Sequence, residues 1–231
     1  MNLQSIVCRK KTFSQALAYV GKLHNDYQDT LLNYLLINNI NLQDTNSLKN
    51  IIAVKSKAFF QSKGISDSGY VLNLSFKPSP ISWSLNGKNY SVKGKSILTS
   101  LQSTVQKYAS NTINSYDFAK ALDGLLKSAL QLPDSKEVFA VGIPVIVASS
   151  SMSYWKANGD RWITGLSRVN KPCRIGWGSL GGADITGAIG GAMGGSAFGP
   201  GGALAFGVLE SAISSLYGLT SQVMSCKFSW W

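Results

Sequence analysis

Residues 187–207 read GAIGGAMGGSAFGPGGALAFG and carry no charge. Glycine costs about 1 kcal/mol relative to alanine at each helix-interior position, so a segment this rich in it needs a specific reason to be ordered. Its spacing supplies one. Gly187, Gly191, Gly195 and Gly199 recur every fourth residue, Ala203 and Gly207 continue the series, and a second series runs Gly178, Gly182, Thr186, Gly190 and Gly194. Positions four apart share one face of a helix, and a row of small residues there lets another helix approach backbone to backbone. Gly-Pro-Gly-Gly at 199–202 divides the segment, predicting two helices over 185–198 and 203–217 that form a hairpin. The first half has 14 residues, about 21 Å at 1.5 Å per residue, and the second is similar. Each falls short of the roughly 30 Å hydrocarbon core of a bilayer. Two settings offset the cost of the glycines: a membrane, where unpaired backbone is so unfavourable that helix becomes compulsory, and a close-packed interior.

The other 3.6-residue patterns also predict helices. Phe13, Leu17, Val20, His24, Tyr27, Leu31 and Leu35 make one stripe over 13–36, with Thr12 as its N-cap. Leu48, Ile51, Ile52, Lys55 and Phe59 make a second over 47–61, ended by Gly64 as a left-handed cap. Ile97, Leu98, Leu101, Val105 and Tyr108 make a third. Phe118, Leu122, Leu125, Ala129 and Leu130 make a fourth, stopped by Leu132-Pro133-Asp134, with Ser135 placed to cap the next helix. Residues 138–155 are uncharged and contain Pro144; a central strand rejects that proline, so a kinked, buried helix is expected. Over 70–92 the period changes to two: Tyr70, Leu72, Leu74 and Phe76, then Ile81, Trp83 and Leu85, then Tyr90 and Val92, with Asn86-Gly87 suited to a type I′ turn. The expected fold is mainly α: a helical bundle with a short β-meander at about 70–92 and a C-terminal glycine-rich hairpin. The expected division is an α-rich body over 1–177 and a hairpin module over 178–231. No 20-residue run is apolar enough to stand out as a transmembrane helix.

Charge narrows the partners. Only 14% of the 231 residues are charged, and 22 Lys+Arg against 11 Asp+Glu leave a net +11. Soluble domains carry roughly 25% charged residues. A basic, charge-poor chain suits an anionic membrane better than nucleic acid, which calls for cations clustered on one face or in a run. Here the longest cationic run is Arg9-Lys10-Lys11. The N-terminal MNLQSIVCRKK does not have the order of a signal peptide, since its charges follow its short apolar stretch. Before the glycine segment, Lys156, Arg161, Arg168, Lys171 and Arg174 interleave with Trp155, Trp162 and Trp177, and the chain closes on Trp230 and Trp231. Aromatic and cationic residues so mixed fit the membrane–water interface. Asp184 and Glu210 bracket the hairpin as polar ends.

Catalytic and cofactor signatures fail on spacing. Cys8, Cys173 and Cys226 form no C-x-x-C; one disulfide with a free thiol and three buried thiols are both open. His24 is the single histidine and lies on an apolar stripe, so no multi-histidine metal site is available. No paired-carboxylate or E-x-x-H cluster occurs. Gly176-Trp-Gly178-Ser-Leu-Gly181 matches G-x-G-x-x-G without the preceding strand or the later acid that a dinucleotide site requires. Ser153 and Lys156 form S-x-x-K without its companion motifs. No cofactor or metal is expected.

Three stretches carry a resemblance: YVGKLHN at 19–25, SYWK at 153–156 and the run into ADITGAIGGAMGG at 183–195. Together they resemble a group of uncharacterised Bacteroidetes proteins that pair an N-terminal Y-x-G-x-L-H-N-like motif with a C-terminal glycine-zipper segment. The resemblance implies a bacterial protein acting at the envelope and marks His24 and Asn25 as a motif site, with capping or core packing as the other explanation for them. The sequence therefore suggests a non-enzymatic membrane-associating protein, bacteriocin- or toxin-like, located at the cell envelope or secreted. In that reading Gly187, Gly191, Gly195, Gly199, Gly190 and Gly194 serve helix packing, and the Trp, Lys and Arg residues above meet anionic lipid. The alternative is a soluble structural or interaction protein whose glycine-rich helices pack internally or self-associate as a homo-oligomer. A hydrolase built on carboxylates or hydroxyls is a third reading.

Overall fold

A computed structural model describes residues 10–38, 40, 45–64, 85, 90–167, 176–196 and 199–228, and among these every regular element is a helix. In chain order they are α1 (Lys10–Ile37), α2 (Thr45–Ser62), α3 (Val92–Ala109), α4 (Ser115–Ala129), α5 (Ser135–Ser167), α6 (Trp177–Gly195) and α7 (Gly199–Phe228). The fold is thus mainly α. The expected meander falls almost wholly outside the described residues. At its end, Tyr90 is buried without being a strand, and Val92 is the exposed first residue of α3.

Local chemistry sets the helix ends. Gly64 follows α2 with φ +72°, a left-handed backbone that glycine adopts without penalty. Ser91 caps α3 by accepting from the Gly94 amide at 3.0 Å, and Asn114 caps α4 by accepting from the Asp117 amide at 2.9 Å. Two expected caps are corrected. Thr12 lies inside α1, because the helix already runs from Lys10. Asp134 rather than Ser135 caps α5: its carboxylate accepts from the Lys136 amide at 2.9 Å, a bond a carboxylate makes better than a hydroxyl at the positive end of a helix.

α5 organises the bundle. It runs through Pro144, whose missing N–H leaves the Ala140 carbonyl without its helical donor. Its stretch Ser135–Trp162 is, contrary to the expectation for the chain, long and apolar enough to cross a membrane by length and composition. The apolar part of that stretch is the uncharged 138–155 run, carried on one unbroken helix. In the bundle, 78% of its most apolar window is buried. One face, with Phe139, Ile143, Val147 and Trp155, joins a core shared with α1, α2, α6 and α7. The other, with Val141, Val145, Ala148 and Met152, joins a core shared with α3, α4 and α6. The α6–α7 hairpin thus shares both cores with the helices that precede it.

The hairpin differs from the expected one in its boundaries. α6 begins at Trp177, and the connection falls between Gly195 and Gly199. Gly199-Pro200 does not divide the segment but opens α7, since proline is tolerated in a first turn where its N–H would have no partner. α7 has 30 residues, about 45 Å at 1.5 Å per residue. Its approach to α6 is very close. A methyl built on Gly187 would strike the Glu210 carbonyl, one on Gly191 the Phe206 carbonyl, and one on Gly195 the Gly202 carbonyl. Gly207 answers from α7, where a methyl would press on Ile143 and Ala192. Gly199 lies at the start of α7. Two members of the second series make no such backbone contact: Gly190 faces only the Glu210 carboxylate of α7, and Gly194 is exposed with open space beside it. Gly194 is therefore corrected from a packing residue to a surface one, because its side of the helix faces open space.

Candidate functional site

α1, α5, α6 and α7 converge on a group of buried polar side chains. On α1 the apolar stripe of Leu17, Val20, Leu31 and Leu35 is interrupted by His24 and, one turn on, Gln28, exposed by 0% and 2%. α5 contributes Ser151 and Trp155, four residues apart and so on one face, and α7 contributes Ser215. At the centre stands Asp184 of α6, with 0% exposure. It is not a polar end of the hairpin, as expected, but lies within α6. The buried carboxylate is retained there because donors surround it. Trp155 Nε1 donates to its Oδ2 at 2.6 Å, Ser151 Oγ donates to the same oxygen, and Gln28 Nε2 lies 3.3 and 3.2 Å from Oδ1 and Oδ2. Gln28 Nε2 also donates to Ser215 Oγ at 3.1 Å.

His24 completes the group. Its Nε2 lies 3.3 Å from Asp184 Oδ1 and its Nδ1 3.0 Å from Asn25 Oδ1. Nδ1 faces the Asn25 oxygen, and Nε2 lies 3.3 Å from both Asp184 Oδ1 and Gln28 Nε2; the two oxygens favour the doubly protonated ring. Burial opposes the charge, but the adjacent Asp184 carboxylate and the hydrogen bonds from Asp184 and Asn25 outweigh it and hold the ring above its usual range. The result is a buried ion pair whose lone pairs and protons are met. Ser151 gives its proton to Asp184 rather than to His24, so serine, histidine and aspartate do not form a nucleophile–base–orienter relay. These contacts tie α1, α5, α6 and α7 together.

A second set of contacts ties α1 to α5. Tyr154 OH donates to Asp29 Oδ1 at 3.0 Å, and Trp162 Nε1 donates to Tyr154 OH at 2.9 Å. Arg161 reaches Asn33 Oδ1 at 3.0 Å and Asp29 Oδ1 at 3.6 Å.

The expected interfacial residues are divided by the fold. Trp155 and Trp162 are corrected: each is 1% exposed, their rings lie 5.5 Å apart in the core, and each indole N–H is satisfied inside the protein. Lys156 is exposed, with its ammonium 5.4 Å from the Tyr108 ring and 5.8 Å from that of Trp177. Arg161 is exposed and Trp177 half-buried. Arg168, Lys171, Arg174, Trp230 and Trp231 lie outside the described residues, as do Cys8, Cys173 and the side chain of Cys226.

The three stretches behind the sequence resemblance meet here. YVGKLHN brings Gly21, His24 and Asn25, SYWK brings Trp155, and ADITG brings Asp184. Gly21 belongs to the same contact, since a methyl on it would strike Ser150 of α5. Sequence reasoning missed the His24–Asp184 pair, Gln28, Ser151 and Ser215. One signal was present: Asp184 is the single charge between Arg174 and Glu210, and a lone carboxylate in an apolar helix needs a buried donor. No protein-family model, curated protein or solved structure matches this chain.

Proposed function

We propose that this is a non-enzymatic, membrane-associating protein of the bacterial envelope or of the secreted space, bacteriocin- or toxin-like, that delivers its glycine-rich α6–α7 hairpin to a lipid surface. The observation that carries the reading is the order of the bundle. α5, apolar and long enough to span a bilayer, and the α6–α7 pair lie innermost, while α1 to α4 place their apolar faces against them. α6 and α7 already satisfy their backbone internally and touch through glycine, as a bilayer requires of helices that enter it, while the Asp184 carboxylate keeps its α1 and α5 donors only in the closed bundle. The net charge of +11 draws such a bundle to anionic headgroups, with exposed Lys156 and Arg161 among the cations. Nucleic acid is not the expected partner.

Co-sedimentation of the full chain with vesicles tests this. At low salt the protein is expected to pellet with phosphatidylglycerol vesicles and not with phosphatidylcholine alone. Gly191→Leu with Gly195→Leu, which forces α6 and α7 apart, should abolish the pelleting. Indifference to anionic vesicles at low salt sinks the proposal.

A second reading has its own observation. Gly187, Gly191 and Gly195 are already occupied by α7 of the same chain. A soluble structural or interaction protein, alone or as a homo-oligomer, would use the glycines in this way and no other. It would ignore both kinds of vesicle, while the same double variant would lower its unfolding temperature.

A further inference from the structure

We propose that His24 and Asp184 form a proton-operated latch between α1 and the α6–α7 hairpin, closed while the imidazole carries its charge and released when it loses a proton. The proposal holds whether or not the bundle meets a membrane.

The geometry has the parts a latch needs. The pair joins helices 160 residues apart in sequence, and both partners are fully buried. Hydrogen-bond donors from α1 and α5 cap the carboxylate on its remaining sides, so that among the described residues the ring supplies its only formal countercharge. The described residues of the neighbouring elements bring no other charge to the ring. α5 presents Ser151 and Trp155, and α7 presents Ser215. Glu210 of α7 lies instead against Gly190, further along α6 from Asp184. On α1, Lys22 is bound to Asp26 at 2.5 Å on the exposed side. α2 meets α1 through Ser56 at Tyr27, with Lys55 over the Tyr34 ring. Loss of the ring proton therefore leaves a buried carboxylate without a cation, a change that weakens the contact between α1 and α6.

The direction follows from linkage. Burial is the largest influence and opposes the charge, but Asp184 and Asn25 together outweigh it, so the folded ring holds its proton above the value of an unfolded histidine. The latch contributes fully below about pH 6.5, and its contribution is lost as pH rises through the higher value in the fold.

His24 is the chain's single histidine, so nitrogen-15 NMR of histidine-labelled full-length protein reads it without ambiguity. Both ring nitrogens should be protonated at about pH 6.5 and one should lose its proton at higher pH. Over that rise the hydrogen-exchange protection factors of α1 amides should fall about tenfold for each pH unit by which the ring exceeds its unfolded value. Asp184→Asn should reverse the sign, bringing the ring's titration below about 6.5, because burial is then opposed only by the Asn25 hydrogen bond. His24→Gln should abolish the step in protection. A wild-type ring already half neutral at or below about pH 6.5 overturns the latch, as does α1 protection that stays constant while the ring titrates. These wild-type readings decide the matter even if Asp184→Asn does not fold.

Discussion

At the scale of single residues, the same amino acid does opposite work on two faces of one helix. Gly191 lies against the Phe206 carbonyl, and any side chain there collides with backbone, which cannot rotate away. Gly194, three residues later, faces open space. Gly191→Ala should therefore destabilise the protein by about 1–3 kcal/mol, the usual cost of overpacking. Gly194→Ala should stabilise it by up to about 1 kcal/mol through helix propensity alone. Urea unfolding of the two variants checks the pair, and equal effects would contradict the assignment of faces. Of the six packing glycines predicted by spacing, Gly187, Gly191 and Gly195 lie against the α7 backbone, Gly190 meets α7 only through the Glu210 side chain, and Gly194 meets nothing. A period of four identifies a face but not which face meets a partner.

At the scale of elements, α4 is a short amphipathic helix whose beginning and middle can be tuned separately. Its N-terminus depends on Asn114, whose side chain accepts from the Asp117 amide. Asn114→Ala should cost about 1 kcal/mol. Gly124 sits in its exposed interior with nothing near, so Gly124→Ala should gain about 0.5–1 kcal/mol. Thermal unfolding midpoints should move in opposite directions, and the double variant should return close to wild type, because cap and interior lie apart and share no partner. Helix existence was readable from the stripes of all these elements. Their ends were less so: Asp134 displaced Ser135 as a cap, and Gly199-Pro200 opened a helix where a break was expected. Caps and proline positions permit several neighbouring boundaries, and tertiary packing chooses among them.

At the scale of the whole molecule, the hairpin is part of the core. Leu180, Ala188 and Ala192 of α6 and Leu204, Val208 and Leu216 of α7 pack with Leu17, Leu31 and Ile52. A chain ending at Trp177 would expose those partners and leave His24 without Asp184. It should lose cooperative thermal unfolding and bind a hydrophobic dye, as a collapsed chain without fixed packing does. A sharp, dye-free transition in that truncation would show that residues 1–177 fold without the hairpin.

By itself the sequence determined that the chain is helical, which faces of its first four helices are apolar, and that its glycine-rich segment needs a close partner. Each of these rests on side chains repeating within one helix, at separations measurable along the chain. Tertiary structure decided the rest. It buried Trp155 and Trp162, which composition alone had suited to an interface, and it set His24 beside Asp184 from 160 residues away. Periodicity tells a helix which face to hide. Which polar group is hidden against which depends on how separate helices cross, and that is fixed only when burying an unpaired charge would cost more than the whole fold can spare.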